Sequence, residues 1–185
     1  MKGRLRLAVA VAVVTGLAVV VTAAIAGGTG EIREKLTGFE EDPQTISTTG
    51  TGTFHAQVDR AAQEISYQLE YADLEGDVTQ AHIHFGGRAQ SGGIAVFLCS
   101  NLPDPPPDTQ ACPPAPGAVS GTLDAANVIG PAAQGVEAGE FDELVAAIRA
   151  GKTYANVHTT KYPAGEIRAQ LERGRHDWEA PPAKR

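Results

Sequence analysis

Among the five histidines of this 185-residue chain, two stand at i and i+2 in Ala81-His82-Ile83-His84-Phe85-Gly86. Apolar Ala81, Ile83 and Phe85 alternate with Gln80, His82 and His84, the period of a β-strand with one apolar face. Alternation places both imidazoles on the same face, about 7 Å apart along the strand. From a rigid strand such a pair can chelate one metal ion. A third histidine, His158, follows in Asn156-Val157-His158-Thr159, another strand-like context. Imidazole suits copper and zinc, and copper has the greater intrinsic affinity for a nitrogen site. The competing reading is structural: His-x-His on a strand also serves as ordinary polar pairing.

The elements that must position these residues are mostly short strands. Phe54, Ala56 and Val58 alternate with Thr53, His55 and Gln57, and Ile65, Tyr67, Leu69 and Tyr71 with Ser66, Gln68 and Glu70. The polar link Asp59–Gln63 between them makes an antiparallel hairpin with one buried face. Gly76-Asp77 turns the chain into the His82/His84 strand, and Gly92-Gly93 precedes the apolar run Ile94–Leu98. Gly121-Thr122-Leu123 reads as the start of another strand. Tyr154–Thr159 and Glu166–Leu171 read as the last two. Phe141, Leu144, Val145 and Ile148 fall at helical spacing, which predicts one short helix over Glu140–Ala150 closed by Gly151. Seven or so strands and one helix near 140–150 predict a mainly β domain, an antiparallel β-sandwich of immunoglobulin-like or superoxide-dismutase-like form.

Lys2, Arg4 and Arg6 precede an apolar run from Leu7 to Ala26, with the small-x-small site Ala24-Ile25-Ala26 at its end. This predicts that residues 1–26 are a secretory signal peptide or, since the run is long enough to span a bilayer, an uncleaved membrane anchor at residues 7–26. Both readings put the folded part outside the cytoplasm. Residues 27–34 read as a polar spacer, and the charged segment 172–185 as a mobile tail. The formal net charge is −7, and removing residues 1–26 takes three positive charges with it. An acidic chain without a basic stripe argues against nucleic acid as a partner. That leaves an extracytoplasmic protein or a metal ion as partner, and membrane contact only through the N-terminal segment. The two cysteines, Cys99 and Cys112, bracket a proline-rich loop, and outside the cytoplasm the pair is most simply a disulfide.

Several of these segments together resemble the signature of the CHRD domain, a module named after chordin. They are Leu36-Thr-Gly-Phe-Glu-Glu-Asp-Pro43, Gly50-Thr-Gly-Thr-Phe54, Ala81-His-Ile-His84-x-Gly86, Gly151-Lys-Thr-Tyr-Ala-Asn-Val-His-Thr159 and Pro163-Ala-Gly-Glu-Ile-Arg-Ala-Gln-Leu171. The resemblance covers residues 35–171. It implies a secreted or surface-anchored domain, and protein binding by analogy with chordin itself. A looser resemblance is to copper–zinc superoxide dismutases. There a His-x-His strand and a late-strand His after Gly-[Lys/Arg]-Thr ligate copper, and a following Gly-x-x-Arg, here Gly165 to Arg168, guides anions. By that resemblance His82, His84 and His158 would hold a single copper ion, with zinc as the alternative.

The chain departs from that enzyme in having no histidine between residues 85 and 157 and no zinc-type loop, which excludes a two-metal centre. His55 is a candidate fourth ligand or a solvent-facing side chain, and His176 carries no assignment. Glu166 and Arg168, which alternate to one strand face, read as an ion pair or as groups orienting the histidines from behind. Asn156 reads as a third such group or as part of a metal-free polar network with the histidines. No catalytic residue is assigned, for there is no Gly-x-Ser-x-Gly elbow and neither cysteine looks activated. Three functions follow: a single-copper binding protein, a metal-free scaffold for a protein partner, or a dismutase-like redox enzyme.

Overall fold

The computed structural model describes residues 30–172. The leader read over 1–26 and most of the C-terminal tail fall outside them. The chain forms eight strands: β1 Gly30–Thr37, β2 Thr51–Asp59, β3 Glu64–Ala72, β4 Val78–Phe85, β5 Gly93–Ser100, β6 Gly117–Leu123, β7 Thr153–Thr159 and β8 Ile167–Leu171. One helix, α1 Phe141–Arg149, lies between β6 and β7. All eight strands join one antiparallel sheet in the order β5-β4-β7-β8-β1-β2-β3-β6. The mainly β reading therefore holds, as a single sheet curled into a nearly closed, barrel-like sandwich.

The two edges, β5 and β6, are tied across the seam. The Tyr67 hydroxyl on β3 donates to the Leu98 carbonyl at 2.9 Å, and the Ser100 amide donates to Gln110 in the proline loop. Cys99 and Cys112 form a disulfide at the same place, with Cα atoms 5.0 Å apart and both residues buried. Closing that short loop limits the unfolded chain, so Cys99→Ala/Cys112→Ala is expected to cost about 3 kcal/mol, less the freedom the prolines already remove. Urea denaturation of the paired variant checks this; an unchanged midpoint refutes it.

Burial explains where each strand sits. β3 alternates strictly, with Ile65, Tyr67, Leu69 and Tyr71 inside and its other face in solvent. β7 and β8 are buried along their whole length, on both faces. The interior is one apolar cluster including Ile32, Leu36, Phe54, Ile83, Leu98, Val157, Ile167 and Leu171, joined by Phe141, Leu144, Val145 and Ile148 of α1. α1 ends in a Schellman cap: Gly151, at φ 64°, donates to Ile148, and Lys152 donates to Ala147.

Three readings of the sequence need correction. Residues 30–34 are part of β1, not a spacer. Ile32 and Leu36 are buried, and the strand pairs with β2 from Gly30↔Val58 to Thr37↔Thr51. Isolated between charged residues, those two apolar positions carry little periodic signal. Gly121–Leu123 ends β6 and does not begin it, because Gly117–Ser120 already pair with β3. The tail begins with Glu172 held against the domain, its carboxylate accepting from Arg88 at 2.9 Å.

A candidate metal centre under the outer face of β4, β7 and β8

On β4, Ala81 and Ile83 face the core, so His82 and His84 face outward. The same alternation turns Tyr154, Asn156 and His158 outward on β7, and Arg168 and Gln170 outward on β8. All are nonetheless buried, His82 at 0 %, His84 at 8 % and His158 at 7 % exposure. Polar loops cover this face. Residues 38–50 lie over Asn156, the loop 86–92 over Arg168 and Gln170, and the turn 160–166 over His158. Register accounts for the meeting: His82 pairs with Asn156, and Gln80 with His158. On the other side of β4 the pairing with β5 shifts twice, beside His82 and beside His84, the kind of irregularity that re-aims side chains near sites.

The three ring systems converge. Ligand nitrogens of His82, His84 and His158 all lie within 4.8 Å of one another. His84 Nδ1 is 3.0 Å from the Gly92 carbonyl, and His158 Nδ1 is 3.0 Å from the Pro163 carbonyl. A carbonyl only accepts, so each Nδ1 carries the proton and each Nε2 keeps its lone pair. His82 Nδ1 donates to His158 Nε2 at 3.2 Å. His82 Nε2 and His84 Nε2 have no hydrogen-bond partner, and the other such buried atoms among the described residues are Thr153 Oγ1 and Gln170 Oε1.

Burial holds the cluster neutral. It pushes His82 down to about 2, reinforced by the neighbouring His158 and His84. It pushes His84 down to about 4 and also lowers His158. Neutral imidazoles are the form a metal ion needs; carbonyls on Nδ1 hold the His84 and His158 rings in place, and His158 Nε2 must release its hydrogen bond from His82 to turn to the ion. The donor set therefore fits a nitrogen-bound transition metal, and the triad can hold one ion.

None of the residues expected behind the histidines bonds to a histidine directly. Glu166 and Arg168 form no ion pair with each other. The Glu166 carboxylate accepts from Thr48 Oγ1 at 2.6 Å, Thr159 Oγ1 at 2.7 Å and the Glu75 amide at 2.8 Å. Arg168 donates through Nη2 to the carbonyls of Gly87 and Gln90, and its guanidinium lies 3.5 Å over the Tyr154 ring. At 2 % exposure it does not line a path for anions. Asn156 donates to Glu41 Oε1 at 2.6 Å and to the Ile167 carbonyl, not to a histidine. His55 lies on β2 opposite Arg33 and Gln68, outside the converging group. His176 falls beyond the described residues.

Three participants carry no assignment in the sequence reading: Glu41 and the carbonyls of Gly92 and Pro163. Glu41 is buried, and desolvation pushes its carboxyl up to about 7 against the opposing hydrogen bond from Asn156. It stands within Leu36–Pro43, a segment legible as a motif but silent on role. The orienting carbonyls of Gly92 and Pro163 have no side-chain signature; only the turn residues around them mark the place. Gly165 sits close against the Glu41–Asn156 pair. At φ 134° a Cβ would come within 2.7 Å of both Asn156 Nδ2 and Glu41 Oε2. Gly165→Ala is therefore expected to break the Glu41–Asn156 bond and lower stability by about 2 kcal/mol. Thermal denaturation tests this; a variant as stable as the parent refutes it.

The fold and site together define a β domain with a buried three-imidazole cluster. The CHRD domain model matches residues 32–171, so the chain belongs to the CHRD family. The match begins three residues before the sequence motifs suggest, inside β1. No curated protein matches the chain. No solved structure matches it either.

Proposed function

We propose that this protein is an extracytoplasmic CHRD-domain binding protein that holds one copper ion, with zinc as the alternative, through His82, His84 and His158. The observation that carries the reading is the pair of buried Nε2 atoms on His82 and His84 that nothing in the protein satisfies. A metal-free network serving only to fix strand register has no reason to leave such atoms unpaired, since buried polar groups are normally bonded. Copper stands above zinc in affinity for a nitrogen site. The disulfide fits an oxidising compartment, and the acidic chain, at net charge −7, disfavours nucleic acid. Binding rather than catalysis is favoured because the three histidines are shut away from solvent. Membrane contact, if residues 7–26 remain, is confined to that segment.

Metal analysis and copper titration of the purified chain, without a polyhistidine tag, test the proposal. One equivalent is expected to bind, and to be lost in each of His82→Ala, His84→Ala and His158→Ala. Uptake by the triple variant equal to that of the parent overturns it. In that event the scaffold reading stands, and those substitutions change stability alone.

A further inference from the structure

Taking the copper-site reading as its basis, we infer that the pocket is built for cuprous copper in preference to cupric copper or zinc. Three features of the pocket point the same way: the charge of its donors, their number, and the cation stacked behind one of them.

The converging ligand atoms are three imidazole nitrogens, with no carboxylate or thiolate among them. A divalent ion there would bring two charges into a buried site with nothing to neutralise them, and a monovalent ion only one. Removing uncompensated charge from water is costly, and the penalty grows steeply with charge. The donor count matters as well. Zinc is almost always four-coordinate, and cupric copper takes tetragonal nitrogen and oxygen sets. Three donors complete neither, whereas cuprous copper, with a filled d shell, is content with three.

Aromatic rings flank two of the three ligands. The Phe97 ring stands edge-on to His82 at 4.3 Å between centroids, and Tyr154 lies flat on His84 at 4.7 Å with 2° between the planes. Aromatic neighbours of this kind lower the local dielectric around the ligands, which again favours the lower charge.

Behind Tyr154 lies the Arg168 guanidinium, 3.5 Å from the ring centroid, so that cation, phenol and ligand imidazole form one stack. Arg168 is anchored by main-chain carbonyls, which carry no compensating charge. The carboxyl that feels its field, Glu41, is tied to Asn156. A fixed cation at this place repels a divalent ion more than a monovalent one. Arg168 is thus a positioning residue that acts on the metal through Tyr154 and His84.

The test is a set of competition titrations under anaerobic conditions. Cuprous ion is competed with bicinchoninate, and cupric ion and zinc with chelators of known affinity. The chains compared are the parent, Arg168→Gln, Arg168→Lys and the triple histidine variant. The parent is expected to bind cuprous ion more tightly than either divalent ion. Arg168→Gln is expected to narrow that preference about tenfold, the effect of one unit charge roughly 10 Å away at an effective dielectric of about 20. Arg168→Lys, which keeps the charge, is expected to retain most of it. Equal or tighter binding of a divalent ion by the parent overturns the inference, as does an unchanged preference in a folded Arg168→Gln. The parent ratio decides alone if that variant does not fold. Failure of all three ions to bind better than to the triple variant overturns the underlying copper reading instead, so the two failures are distinct.

Discussion

Acidifying the metal-free protein from about pH 7 to about pH 5 is expected to lower its stability by about 2 kcal/mol or more. In the unfolded chain the three histidines take up protons near the ordinary imidazole value of 6.5. In the folded chain burial holds His84 near 4 and His82 near 2, with His158 shifted the same way. The unfolded state therefore binds more protons below 6.5. The stability of the neutral cluster is complete above that value and is lost as pH falls towards 4. His82 and His84 each contribute a loss of about 2 kcal/mol by about pH 5, and His158 adds to it in the same direction.

Glu41 works in the opposite sense. Its folded value of about 7 lies above the ordinary carboxyl value of 4.5, so its contribution is present below 4.5 and lost as pH rises through 7. Acidification restores about 2 kcal/mol through this carboxyl, offsetting one histidine. The net slope is downward, and Glu41→Gln is expected to steepen it by removing the offset. Urea midpoints measured across this pH range decide the matter. A flat or rising profile in the parent would mean that the histidines are not buried and neutral as described.

Glu166→Ala is expected to destabilise the domain by about 3 kcal/mol or more, a larger loss than that expected of Gly165→Ala. The carboxylate is fully buried and accepts hydrogen bonds from three separate parts of the chain: Thr48 before β2, Glu75 between β3 and β4, and Thr159 at the end of β7. Removing it leaves the buried Thr159 hydroxyl without an acceptor, takes the acceptor from the half-buried Thr48 hydroxyl and the Glu75 amide, and frees the loop that carries Pro163. Because the Pro163 carbonyl fixes the proton on His158, metal affinity should fall together with stability. Glu166→Gln keeps the shape and one acceptor oxygen, so a smaller loss is expected. Calorimetry of the two variants tests this: equal, small losses would mean that the carboxylate is replaceable by shape alone.

Much of this was legible without coordinates, for a local reason. Strict alternation over Phe54–Val58 and Ile65–Tyr71 arises where one strand face meets the core and the other meets water, as β3 does. The spacing of Phe141, Leu144, Val145 and Ile148, with Gly151 behind it, is equally local, and α1 lies within one residue of the expected limits at each end. The pairing of Cys99 with Cys112 required only that there be two cysteines. Where both faces are covered the signal fades. β8 reads Ile-Arg-Ala-Gln-Leu and is buried throughout, and nothing in that pattern says that Arg168 and Gln170 lie beneath a loop.

Residue type and the period of two were enough to place His82 and His84 on one strand face and to mark His158 as a third candidate. Register brought His158 within 3.2 Å of His82, and register depends on which strands pair, a property of the whole sheet. The partners of Glu166 and Arg168 were likewise set by tertiary structure. Two side chains on one strand face invite a mutual ion pair, but each bonds instead to segments distant along the chain. The sequence thus determined which groups were available and which way each strand presents them. Only the closed sheet and the loops folded over it decided that three imidazoles would be buried, neutral and aimed at one point, because burial and aim come from chain segments that are distant in sequence.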